Sequence, residues 1–197
     1  MPNAARCLAA LAALLVLPAS EAMAQHPQTR DGFWIGFGFG YGSADATCDR
    51  CTRADRLGGV SAFLKLGGTR SQHLLLGAAV NAWTKQSGGA IEALGTATAS
   101  VYYYPWPATG LYLTGGLGLS EYLLGVAPRS RIPSVTGSGW GFAAGLGYDI
   151  RIGRNVSLSP AANFFYGGLG KLNAGGSTSA TGWKQNVFDV GLGLTFH

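Results

Sequence analysis

The 197-residue chain is short of the residue types that carry most chemistry. Charged side chains make up 12% of it, and it has 3 histidines, 3 cysteines and 2 methionines. Average proteins carry about 25% charge, so a solvated, salt-bridge-laced surface is not what this sequence encodes. It is not short of apolar residues, at 47%, which excludes disorder of the usual charge-rich kind. Prolines number 8 against 32 glycines with no three-residue period, so collagen is excluded. That much glycine, at up to about 1 kcal/mol per helix-interior site, also argues against a helical domain.

One apolar run stands out. Leu8–Leu17 follows the lone basic residue Arg6 and leads to Ala22-Met23-Ala24, an A-x-A cleavage site before Gln25. The run is too short for a spanning helix, which needs about 20 residues. Residues 1–24 are expected to be a secretory signal peptide, with 25–197 as the mature domain. Cleavage removes one base (Arg6) and one acid (Glu21), so the charge of +5 is kept.

The remainder alternates with period two, eight times over. Phe33, Ile35, Phe37, Phe39 and Tyr41 share one face, with Trp34, Gly36, Gly38 and Gly40 on the other. The last segment is the cleanest: Phe188, Val190, Leu192, Leu194 and Phe196 oppose Asp189, Gly191, Gly193 and Thr195. The connections alternate as well. Short turns fall at 67–70, 105–110 and 153–155, and longer loops are expected at 43–57, 84–90, 122–138 and 167–182. An even strand number with short turns on one side and long loops on the other is the pattern of an all-β, eight-stranded, antiparallel up-and-down transmembrane barrel.

Size decides which face points inward. Eight strands enclose a lumen just wide enough for packed side chains or one small ligand. The bulky face, with Phe33, Phe37, Phe39, Trp140, Phe142, Phe164, Phe188 and Phe196, cannot fit there. The Gly/Ser/Thr/Asn face can, so the bulky face is expected to meet lipid. Tyr41, Trp140 and Tyr166 toward the long loops, and Phe33, Tyr103 and Phe196 toward the short turns, would form the interfacial girdles.

These features resemble the small outer-membrane β-barrel proteins of Gram-negative bacteria, the OmpA-transmembrane and OmpX/Ail-like group. The resemblance implies a location in the outer membrane, with short turns in the periplasm and long loops outside. It also implies that Phe188, Val190, Leu192, Leu194 and Phe196 form the signal read by the barrel-assembly machinery, although His197 follows the terminal aromatic. No peptidoglycan-binding domain of the OmpA type is expected after the barrel.

Candidate chemistry is sparse. Cys48-Asp49-Arg50-Cys51 lacks the βαβ context of a redox motif and the further ligands zinc needs. A disulfide pinning the first loop is expected, since the chain is exported. The lipid A deacylases of the PagL type carry a His-x-Ser-Asn motif that this chain lacks. The palmitoyltransferases of the PagP type need a histidine among the outer loops, whereas His26, His73 and His197 all map to the short-turn side. No enzyme activity, cofactor or metal is expected. Gly167-Gly168-Leu169-Gly170-Lys171-Leu172 lacks the Ser/Thr and spacing of a phosphate loop, and nucleic-acid binding has no support.

Parity places Lys65, Glu92, Asp149, Arg151 and Asp189 in the lumen, where they would form either a hydrogen-bonded plug or a gated ion path. Arg50, Arg53, Arg56, Lys85, Arg129, Arg131 and Lys171 map to the long loops. There they are either lipopolysaccharide-phosphate contacts, since arginine matches phosphate bidentately, or a solvated loop surface. The expected role is structural or surface interaction through the loops, with a narrow pore or small-ligand conduit as the alternative and a lipid A-modifying enzyme behind both.

Overall fold

A computed structural model describes residues 28–51, 55–126 and 134–197. The expected signal peptide lies outside the described residues, as do Arg53, Arg129 and Arg131 of the expected loop cations. The described chain is a meander of β1 (Phe33–Thr47), β2 (Leu57–Thr69), β3 (Leu74–Ser87), β4 (Ala90–Tyr103), β5 (Leu111–Val126), β6 (Val135–Tyr148), β7 (Ile150–Gly153), β8 (Val156–Ala174) and β9 (Ser177–Phe196). Each strand pairs antiparallel with its neighbours, β1 pairs with β9, and β6 pairs with β8. That last pairing joins the two ends of the sheet into a ring. β7 continues β6 past a break at Asp149, so the ring has eight positions although nine strand segments line it.

The alternation sorts as its chemistry requires. Phe33, Phe39, Tyr41, Leu117, Leu119 and Trp140 are exposed on the outer face, and Trp34, Ser61, Lys65, Thr98, Ser120 and Thr195 are buried inside. Phe33 and Tyr41 are eight residues apart on β1, about 26 Å along the strand and about 20 Å along the axis at the usual tilt, comparable to a lipid-facing band about 25 Å tall. The lumen is too narrow for a side chain at many inward positions. A Cβ on Gly38 would stand 2.5 Å from Phe63 Cζ and 2.6 Å from both the Gly193 Cα and the Leu192 carbonyl.

Two of the expected long loops are not loops. β3 and β4 run to a two-residue turn at Gly88-Gly89, and β8 and β9 to one at Gly175-Gly176. All four glycines have positive φ (57° and 82°, 56° and 85°), as primed hairpin turns demand. Segments 84–90 and 167–182 are therefore mostly strand. β1 likewise continues to Thr47 and β5 to Val126. A spanning strand needs about 9–11 residues, and β8 and β9 have 19 and 20, so a tall wall rises beyond the lipid band. Above that band neither face meets lipid, the apolar alternation fades, and with it the signal that marks a strand.

The ladder between β6 and β8 lapses between Thr136/Asn173 and Trp140/Gly168, and the β8–β9 ladder shifts register over the same stretch. These bulges turn both Leu169 and Leu172 inward, where they are buried.

Candidate functional site

At the turn end, the residues just before β1 fold back into the mouth of the barrel. Arg30 is fully buried there, its guanidinium 3.6 Å above the Tyr104 ring. It donates to the carbonyls of Pro107, Thr109 and Gln28, while its own backbone exchanges two hydrogen bonds with the Gln72 side chain. Gln28 Nε2 donates to the Asp149 carbonyl and Arg151 Nη2 to that of Thr29. This strap was not legible in the sequence: three polar residues after a cleavage site carry no periodicity.

Asp149 is the centre of the mouth. Its carboxylate accepts from Ser159 Oγ at 2.6 Å and Tyr104 Oη at 2.7 Å, and Ser159 also bonds Thr195. Burial pushes the His197 imidazole down, against the pull of Asp149, so it is neutral at pH 7. Burial, reinforced by Asp149, pushes the Tyr104 phenol up.

Of the five expected lumen charges, the structure brings together Lys65, Asp149 and Arg151. Lys65 donates to Tyr112 Oη at 3.3 Å and lies 4.6 Å from the centre of that ring. A cavity of about 30 Å³ beside it, lined in part by Asn81, Ser100, Tyr102 and Asn163, has room for a water or two. Asp189 stands higher, held by Asn163 at 3.0 Å and close to Ser61. Glu92 is at the loop end, close to Tyr122 and opposite Lys85 in the β3–β4 ladder. Lys85 is thus a strand residue on the inner parity, correcting its assignment to a loop.

The loop end is closed by an apolar cluster. Trp83, Leu94, Tyr122, Phe165, Leu169, Leu172 and Val187 pack together, all buried. Trp83 Nε1 donates to the Gly42 carbonyl, and buried Gln185 donates to Ser120 Oγ and the Glu121 carbonyl. With the turn-end strap below and this cluster above, the lumen is occluded twice.

On the rim, Cys48 and Cys51 form a disulfide with Cα atoms 5.1 Å apart. The bridged turn is tied to β9: Asp49 N donates to the Thr181 carbonyl and Thr181 Oγ1 to Asp49 Oδ2. Gly182 opposite has a φ of 67°, the left-handed region that favours glycine. Arg56 bonds Ser43 and Asn186 and lies 3.9 Å from Asp45. Arg50 and Lys171 are exposed, each lining a groove of about 600 Å³: one between the disulfide turn and β9, the other on β5, β6 and β8. Phe188, Val190, Leu192 and Phe196 are exposed on the outer face of β9, and Leu194, partly exposed, shares their parity.

Histidine, aspartate and serine do meet in the mouth, at His197, Asp149 and Ser159. The arrangement is not that of a nucleophile. Ser159 donates to the aspartate, and His197 Nε2 stands 3.7 Å from Asp149 Oδ2 and holds no serine. A triad needs a serine bonded to the base and room for a carbonyl. No cluster of metal-ligating side chains occurs among the described residues.

A family model, described as outer membrane protein beta-barrel domain, matches residues 9–196. Among solved structures, Neisserial surface protein A has a TM-score of 0.55 at 18% identity, over 84% of this chain and 96% of that one. Ail, the attachment invasion locus protein of Yersinia pestis, has a TM-score of 0.55 at 15% identity, over 85% and 100%. A major outer membrane protein of Thermus thermophilus has a TM-score of 0.50 at 13%, over 82% and 98%. No curated protein matches the sequence. These likenesses are of fold, at identities where side-chain roles do not transfer.

Proposed function

We propose, from the premise that the chain belongs to the outer membrane protein beta-barrel domain family, that it is a non-enzymatic, occluded barrel acting through its loop-end rim. The double closure of the lumen carries this reading. An eight-stranded ring leaves little free bore, and here the strap around Arg30 and the Trp83 cluster fill what remains at either end. What stays accessible is the outer wall and the rim.

The family places the protein in the Gram-negative outer membrane. The turn end then faces the periplasm, and the rim meets lipopolysaccharide. Arg50 and Lys171 are exposed there and suited to its phosphates. Arg53 belongs to the same expected loop as Arg50, and Arg129 and Arg131 to the expected loop at 122–138. Arg56 is already committed to Ser43 and Asn186, and Lys85 to the ladder, so they contribute less. The outward residues Phe188, Val190, Leu192, Leu194 and Phe196 suit a strand read by the barrel-assembly machinery, and the bonded Cys48–Cys51 turn suits an oxidising compartment.

The direct test is single-channel recording in planar bilayers. Silence under applied voltage is expected, and steady open steps would overturn the occluded reading. Mass spectrometry of lipid A from cells with and without the protein addresses catalysis. An unchanged acylation pattern is expected, and a shift would refute the non-enzymatic assignment.

A further inference from the structure

The turn-end mouth holds more buried positive than buried negative charge. Arg30, Lys65 and Arg151 are at most 4% exposed, and the carboxylate buried among them is Asp149. Asp189 lies higher on Asn163, and Asp31 is exposed, accepting from the Gly32 N–H. Arg70 and Arg154, at the same end, are exposed cations. Neither buried arginine forms an ion pair among the described residues. Arg30 is bonded to three carbonyls and to the Gln28 side-chain oxygen, Arg151 to the Thr29 carbonyl. Such partners satisfy hydrogens but do not neutralise charge, and an uncompensated buried charge is costly.

The same place has donors without acceptors. Arg151 Nε and Nη1, Arg30 Nε and Ser157 Oγ are buried and unpartnered, as are both His197 ring nitrogens, one of which carries the N–H of the neutral imidazole. Those on and after the strands are neighbours: Arg151 faces Ser157 across β7–β8, Ser157 faces Thr195 across β8–β9, and His197 follows two residues on; Arg30 belongs to the strap to which Arg151 is bonded through Thr29. Buried polar groups are nearly always satisfied. A surplus of cations and a cluster of idle donors are separate deficits with a common remedy.

We propose that the turn-end mouth binds one small inorganic anion of halide size, held by Arg151 and Ser157, with the Arg30 Nε–H and a His197 ring N–H beside it. Enclosure sets the size. The strap Gln28–Arg30 covers the mouth and its liners are almost fully buried, so a lipid phosphate or a peptide carboxylate has no entry. The site would neutralise one of the two excess buried side-chain charges and lock strap, β7 and β9 together.

Bromide is the probe. Crystals of the folded barrel transferred into sodium bromide should show an anomalous peak in contact with Arg151 and Ser157; a well-ordered mouth without that peak overturns the proposal. In detergent at constant ionic strength, replacing gluconate by chloride should raise the unfolding temperature along a saturating curve. Arg151→Met should lose that dependence, and Ser157→Ala, a milder change should the first variant not fold, should weaken it. An equal chloride response in wild type and variants, or none in wild type, refutes an anion site and leaves ordered water as the partner of these donors.

Discussion

Gly38→Ala tests whether the lumen is as tightly filled as its inner face implies. Gly38 is in the middle of β1, directed inward between β2 and β9. The added methyl would stand 2.5 Å from Phe63 Cζ, 2.6 Å from the Gly193 Cα and 2.6 Å from the Leu192 carbonyl oxygen. The ring can swing, but the two backbone atoms belong to a ladder paired on both sides and cannot. Overpacking of this kind costs about 1–3 kcal/mol, a fold-change in the unfolding constant of about 5 to 150 at 1.4 kcal/mol per decade. Gly115→Ala is the matched control. It is on β5, exposed on the outer face, with no atom within 4 Å of its Cβ position. There the substitution removes only unfolded-state freedom and should stabilise by about 0.4–1 kcal/mol. Urea titration of barrel refolded in detergent, followed by the mobility of unboiled samples on gels, measures both. The two midpoints should move in opposite directions. If Gly38→Ala is as stable as Gly115→Ala, the lumen is not packed and the occluded reading fails with it.

Asp149→Asn should destabilise the folded barrel by about 3–5 kcal/mol, the cost of breaking a buried charged cluster on one side, measurable in the same urea assay. The pH dependence has a definite sign. The His197 imidazole, just past the end of β9, is held below its unfolded value by burial, so its contribution is complete above about pH 7 and is lost as pH falls toward the depressed folded pKa. Wild type should therefore lose unfolding temperature as pH falls from 7 toward 5, and His197→Phe should lack the part of that decline due to this residue. Trp83→Ala removes the largest side chain of the loop-end cluster and its bond to Gly42; a loss of about 3–5 kcal/mol is expected, with less than 1 arguing that the cluster is loose. Replacing both Cys48 and Cys51 by serine should cost at most about 2 kcal/mol, because so short a ring constrains the unfolded chain little; calorimetry showing a larger loss would give the bridge a role in the barrel itself.

Legibility followed the solvent. Between the girdles each outward side chain meets lipid and each inward one a crowded lumen, so Phe37, Phe39, Leu192 and Leu194 alternate strictly with Gly36, Gly38, Gly191 and Gly193. Parity alone therefore placed Lys65, Asp149, Arg151 and Asp189 inside, and all four are buried there. Above the lipid that constraint ends. The hairpin arms around Gly88-Gly89 and Gly175-Gly176 read as loops, although paired glycines before renewed strand pattern were the signal that could have marked the turns. Lys85 was misplaced with them.

The strap is a different kind of omission. Arg30 is buried because Tyr104, Pro107 and Thr109 come from a turn more than 70 residues away, and His197 because Asp149 interrupts the sixth strand beside it. Local pattern encodes which face of a strand meets which medium, since that depends on each residue and its neighbours two apart. The sequence by itself therefore determined the barrel, its strand parity and the lipid-facing wall. Whether the barrel is open depends on which distant side chains reach the axis together. Only the closed ring, which brings β1, β4, β6 and β9 around one lumen, decided that it is plugged at both ends.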